Sequence, residues 1–269
     1  MRYIRVACQT YTWEMLGERW RGRVTDLLDW IAEAGYEGVE ITNAMVGEFA
    51  DRPDDFAAEL RKRRLVLACF AYATTGFTDP RRRRGDMEGA RRAIEFVSHF
   101  PEPQIGLGGA ASLTRDDARR KLDRAIAFYN EVGQLAASQG VSVNVHPHSH
   151  HGSLLETADE YDYLMDHLDA QHVSLGPDTG HIVRGGQDLM DCLRKHLRRV
   201  THVHFKDVDA AGRWVGLGEG VCDFPAVLAL LESSGYKGWI VAEEESDEAR
   251  QDGIAAVRKN RSYLRSVGC

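Results

Sequence analysis

The feature that most constrains this chain is an alternation repeated along its whole length: a short apolar or β-branched run, then a longer segment with apolar residues at helical spacing. The first unit reads "YIRVACQ" followed by "GRVTDLLDWIAEAG", where Val24, Leu27, Leu28 and Ile31 mark one helical face and Gly35 is a stop signal. The next are "GVEIT" with "DDFAAELRKRR", "LVLACFAYA" with "MEGARRAIEFVSHF", and "QIGLGG" with "DDARRKLDRAIAFYNEVGQLAAS". Then come "VSVNVHP" with "ETADEYDYLMDHL", "VSLGPD" with "DLMDCLRKHL", "VTHVHFKDV" with "FPAVLALLESS", and "GWIVAEEES" with "DEARQDGIAAVRKNRSYLRSV". Eight such units without a Pro/Gly/Ser-rich linker predict an α/β fold, a (β/α)8 TIM barrel, with residues 1–269 as one domain. The rival is a doubly wound open sheet, but the GxGxxG turn expected after its first strand is absent. "GLGEGVCDF" concentrates glycines in a loop before a helix and reads as turn chemistry, with Asp223 as the helix N-cap.

Composition narrows the function. A 43% apolar and 28% charged chain of 269 residues is ordinary for a soluble protein with a sizeable core. The formal charge of −7 opposes a polyanionic partner, so nucleic acid is disfavoured. Two arginine tracts stand against that balance. "RKRR" at Arg61–Arg64 reads as the cationic end of a helix, "RRRR" at Arg81–Arg84 as part of a loop, and both as solvated surface. Five scattered cysteines without a CxxC pair suggest reduced thiols and a cytoplasmic location. The N-terminus lacks a signal-peptide core, and no apolar run approaches the ~20 residues of a membrane span.

In such a barrel, reactive side chains project from the C-terminal ends of the strands. The polar residues there are Glu40, His146, His148, Asp178, His181, His202, His204, Glu243 and Glu245. Strand alternation puts His202 with His204 and Glu243 with Glu245 on shared faces, and His146 with His148 if the strand continues through Pro147. Imidazoles and carboxylates arriving from four strands suit a divalent first-row metal, and the recurrence favours Asp178, His204 and Glu243 as ligands. Glu40, Glu245 and His202 read equally as supports of the site or as substrate contacts, and His150 and His151 as loop residues. Tyr11, Trp13, Phe70 and Tyr72 lie near the mouth; Trp13 is the one singled out to face a sugar ring. Arg184 reads equally as a grip on an anionic substrate group or as the partner of a surface acid.

The motifs "PDTGH", "HVHFKD", "GLGEGVCDF" and the "GY.GW" approach to Glu243 complete a pattern running from "AEAGYEGVEI" to "GYKGWIVAEEES". With them the chain resembles the sugar phosphate isomerase/epimerase family of the xylose-isomerase-like TIM-barrel superfamily. The resemblance implies one divalent ion, Mn2+ favoured and Zn2+, Co2+ or Fe2+ admissible, on residues of the fifth to eighth strands. The family's Glu, Asp, His, Glu pattern falls on His146, Asp178, His204 and Glu243, with His146 departing from it. That departure removes one of the two metal-bound glutamates that the resemblance would assign as acid/base groups.

Together these readings make Glu243, His148, His181 and Lys206 the catalytic candidates, and Glu40, Trp13, His181, Arg184 and Lys206 the substrate contacts. Lys206 with Asp207 falls where the family places substrate contacts. The expected activity is a metal-dependent isomerase/epimerase acting on a small ketose, inosose or related polyhydroxy carbonyl compound through a metal-stabilised enediolate. A dehydratase (lyase) of a keto-sugar or inosose is the alternative. An endonuclease IV-like repair enzyme and a non-catalytic sugar-binding module rank below both. The expected partner is a small carbohydrate, with no membrane contact and with homo-oligomers left open.

Overall fold

The computed structural model describes residues 4–149 and 152–269. His150 and His151 lie outside the described residues. In chain order come β1 (Val6–Gln9), α1 (Tyr11–Glu14), α2 (Val24–Ala34), β2 (Gly38–Thr42), α3 (Pro53–Lys62), β3 (Val66–Tyr72), α4 (Arg83–Val97) and β4 (Gln104–Gly108). They are followed by α5 (Ala118–Ala137), β5 (Ser142–His146), α6 (Ala158–His167), β6 (Ser174–Leu175), α7 (Thr179–Arg184), α8 (Leu189–His196) and β7 (His202–Phe205). The last part holds β8 (Asp207–Val208), β9 (Trp214–Val215), α9 (Phe224–Ser233), β10 (Trp239–Ala242), α10 (Asp247–Gln251) and α11 (Gly253–Ser266).

Eight strands pair in the order β6-β5-β4-β3-β2-β1-β10-β7, every ladder parallel. The ring closes between β6 and β7 through two parallel bridges, Leu175 to Val200 and Asp178 to His204, which are out of step by one residue. There the His204 N–H donates to the Pro177 carbonyl at 2.9 Å, and the Thr201 N–H to Leu175 at 3.3 Å. The architecture is the (β/α)8 barrel expected from the repeat.

The period of two along each strand decides what enters the lumen. Val6, Cys8, Ile240 and Ala242 belong to the main core, which packs the sheet against the helices. Ala7, Ala68, Trp239 and Val241 form a separate apolar cluster that plugs the barrel. Two residues beyond Ala7 and Val241 stand Gln9 and Glu243, both lining the cavity above that plug. Outside, α2 buries Leu27, Leu28 and Ile31 completely, each contributing roughly 1.5–3 kcal/mol relative to an exposed side chain. Gly35 ends α2 at φ 86°, a left-handed conformation that a side chain would strain.

Three details depart from the sequence pattern. Strand β5 stops at His146, because Pro147 offers no N–H to continue the ladder, so His148 lies beyond the strand. "VTHVHFKDV" is two strands: the chain turns at Lys206, and β8 pairs antiparallel with β9. The second arginine tract is partly helical, with Arg83 and Arg84 opening α4. Its arginines meet surface acids: Arg81 bonds Asp79, Arg83 bonds Glu131 and Arg84 bonds Glu88. In the first tract Arg63 bonds Asp29 and Glu59, each at 2.6 Å.

Candidate metal centre and substrate cavity

His146, Asp178, His204 and Glu243 each bring one ligand atom to a place where all four atoms lie within 4.8 Å of one another. They come from β5, the start of α7, β7 and the end of β10, which the barrel order sets side by side. The His146 Nδ1 lies 3.0 Å from the Gly176 carbonyl, a partner that can only accept. The proton is therefore on Nδ1, and the Nε2 lone pair faces the Glu243 Oε2, 3.8 Å away. Burial, with His204 and His148 as neighbours, holds the His146 ring well below the usual imidazole range, in the neutral form that a metal requires.

Asp178 is fully buried. Its Oδ1 caps α7 by accepting the His181 N–H at 2.8 Å, while its Oδ2 is buried with no hydrogen-bond partner. An orphaned carboxylate oxygen costs free energy unless something completes it. Burial raises the Asp178 carboxyl to about 7 against the pull of the Lys206 ammonium. His204 presents Nδ1 to the Glu243 Oε2 at 2.5 Å, and its Nε2 lies 3.1 and 3.2 Å from the two oxygens of Glu40. Burial lowers the His204 ring, but Glu40 and Glu243 outweigh it and lift it to about 10. The proton between His204 and Glu243 occupies the place where a cation fits. Two imidazole nitrogens and two carboxylates, one with an unpartnered oxygen, are a donor set suited to one divalent ion.

Glu40 supports this group from below. Besides His204, it bonds the His202 Nε2 at 2.6 Å and accepts from the Gln9 Nε2 at 2.5 Å. Burial raises its carboxyl, yet His204 and His202 outweigh that and hold it well below the carboxylate range. Lys206, buried behind the site, donates to the Glu243 Oε1 at 3.0 Å and to Glu245, and lies 3.3 Å from the His181 Nε2. Burial disfavours the ammonium, but Glu243, Glu245 and Asp178 more than compensate, so it keeps its proton far above neutral pH. Glu243 is pushed up by burial and pulled further down by Lys206 and His204. Glu245 is raised by burial to about 7.

A cavity of about 380 Å3 opens over these groups, lined by His146, His148, His204, Glu243 and Glu245. Gln9, Tyr11, Glu14, Thr42 and Asn43 also line it, as do small residues such as Ala71, Ala73 and Gly106. Glu40 and Asn144 also line it.

The structure assembles most of the expected site but not all of it. His148 lies beside the His146 and His181 rings, with centroids 4.7 and 5.0 Å away. His181 is buried, its Nδ1 accepting from the Ser149 N–H at 3.1 Å. Trp13 does not line the cavity: it is buried against Trp20 and Trp30, where its apolar ring is removed from water. Arg184 is exposed and lies over the Trp214 ring at 4.7 Å, away from the cavity. Phe70 packs on Phe96, and the Tyr72 hydroxyl donates to the Asp86 carbonyl. Asp207 is structural, its carboxylate accepting from the backbone of Val208, Gly218, Gly220 and Cys222, which organises the glycine-rich loop. Asp223 caps α9 as its position suggests. Gln9, Glu14 and Asn144 were missed. Gln9 and Asn144 share strand parity with Ala7 and His146, a usable signal; Glu14 sits in a one-turn helix and offers none.

A family model described as "Xylose isomerase-like TIM barrel" matches residues 28–267. The chain belongs to that family. Among curated proteins, the inosose dehydratase of Lactiplantibacillus plantarum is 28% identical across 89% of this chain and 87% of its own length. The inosose dehydratase of Geobacillus thermodenitrificans is 37% identical over 163 residues, 54% of each chain. This chain thus spans about half the length of several relatives that it matches. Among solved structures, an IOLI protein with a bound zinc atom superposes with a TM-score of 0.84 at 14% identity, covering 98% of both chains. No helix among the described residues is long and apolar enough to cross a membrane.

Proposed function

We propose that the protein is a divalent-metal-dependent dehydratase of a small polyhydroxylated ketone, an inosose or a keto-sugar. The observation that carries this reading is the convergence of His146, Asp178, His204 and Glu243 at the edge of the cavity, with the Asp178 Oδ2 unpartnered. Two features favour water elimination over the isomerisation ranked first from sequence. The relatives matched above are named inosose dehydratases, and His146 leaves Glu243 as the only glutamate among the four ligand candidates. That weakens the case for proton exchange between two metal-bound glutamates on opposite substrate faces.

A divalent ion on these four residues would supply Lewis-acid polarisation of the ketone and an adjacent hydroxyl. The chain's own groups account for the proton movements. Glu243, kept ionised by Lys206 and His204, takes the proton from the carbon beside the carbonyl. The electron pair of that C–H bond forms the new double bond as the β-hydroxyl leaves. Glu245, poised near neutrality and lining the same cavity, gives its proton to the departing hydroxyl, which is released as water. Lys206 holds both carboxylates in place. The Trp214 ring lies 4.3 Å from the Lys206 ammonium, with His181 packed edge-on against the same ring at 4.9 Å.

The test is incubation of the metal-loaded protein with a panel of inososes and ketoses in D2O, followed by NMR and ultraviolet absorbance. Loss of water with a new conjugated carbonyl supports the dehydratase. Deuterium at the α-carbon without water loss returns the isomerase/epimerase to first place, and no change in any member contradicts both.

A further inference from the structure

The cavity is one-sided in charge. Glu14, Glu40, Glu243 and Glu245 all line it, and among the described residues no lysine or arginine does. Three of the four have cationic or imidazole partners: Glu40 bonds His202 and His204, while Glu243 and Glu245 bond Lys206. Glu14 differs. Its carboxylate accepts from the Thr42 hydroxyl at Oε2, which fixes the side chain against the end of β2. Glu14 follows β1, which pairs with β10, so it enters the cavity beside the β1–β2 wall and within electrostatic reach of Glu243.

We infer that Glu14 is a specificity-determining residue that reads substrate hydroxyl groups along the β1–β2 wall of the cavity and rejects anionic groups there. The inference rests on the metal-centred reading of the cavity and deepens it: the substrate is an uncharged polyol ketone, neither phosphorylated nor carboxylated. A carboxylate accepts hydrogen bonds from neighbouring hydroxyls in a fork that matches a polyol. A phosphate or carboxylate brought to the same wall meets like charge at short range, where partial burial weakens solvent screening. The nearby cations do not relieve this. Lys206 is held by Glu243 and Glu245, and Arg184 is exposed over Trp214. Ala71, Ala73 and Gly106, which line the same cavity, leave space for a ring without adding a charge of their own.

The test is binding, measured separately from turnover. Matched pairs of a neutral ligand and its anionic counterpart are titrated calorimetrically into the Mn2+-loaded protein: fructose with fructose 6-phosphate, glucose with glucuronate, and myo-inositol with its monophosphate. The expected result is at least tenfold tighter binding of the neutral member wherever a pair binds, and a ratio at least tenfold smaller in Glu14→Gln. Glu14→Asp, which keeps the charge, retains the preference, and unchanged metal content and melting temperature show that both variants are folded. Tighter binding of an anionic member, an unchanged ratio in Glu14→Gln, or no binding of any neutral member at millimolar concentration overturns the inference. Neutral ligands that bind selectively without being dehydrated leave it standing and remove the dehydratase reading instead.

Discussion

Asp178 and His204 are bridge partners across the seam where the barrel closes, and both are candidate ligands of one ion. The seam has only two isolated bridges, whereas β4 and β5 share five paired positions. A cation held from both sides would therefore tie one of the most thinly paired joins in the ring. Adding Mn2+ to the metal-free protein is expected to raise the melting temperature, by the equivalent of about 2.7 kcal/mol at a hundredfold excess over the dissociation constant. Calorimetric scans with and without chelator measure this; identical melting points would show that the seam does not depend on metal.

Metal uptake should also release protons. In the metal-free protein His204 lies between Glu40 and Glu243 and keeps its proton up to about pH 10. Coordination through Nδ1 displaces it, so binding at pH 7 releases about one proton, plus a share from Asp178, and affinity climbs with pH. Titrations in buffers of different ionisation enthalpy count these protons. The same raised value governs metal-free stability. Its contribution is complete below the unfolded imidazole value of about 6.5 and is lost as pH rises through about 10. A metal-free melting temperature that did not fall across that window would contradict the ion-pair geometry.

Glu40 touches two histidines and Gln9. A carboxylate on the far nitrogen of a ligating histidine fixes the ring and raises its basicity, so Glu40→Gln is expected to weaken metal affinity roughly 10–100-fold. Competition against a chelating dye measures this directly. Affinity equal to the unsubstituted protein would make Glu40 a substrate contact rather than a support.

The fold was legible because eight amphipathic segments follow eight short apolar runs, and core packing obeys that periodicity. The ligand candidates could be read for a related reason: Asp178, His204 and Glu243 stand at strand ends, and His146 takes its place through the family pattern. What escaped was set by contacts without a period. Trp13 follows a strand end, yet its ring turns into a cluster with Trp20 and Trp30. Asp207 adjoins the site in sequence but satisfies four backbone N–H groups. The two-residue strands of the β8–β9 hairpin are too short to show alternation. Glu14 reaches the cavity only because a one-turn helix follows β1.

Elemental analysis of the purified protein beside its Asp178→Ala variant tests the central claim most directly. About one divalent ion per chain is expected in the unsubstituted protein after loading and desalting, with a large loss in the variant, which keeps only three of the four ligands. Equal metal content in the two, or none in either, would contradict a centre built from His146, Asp178, His204 and Glu243.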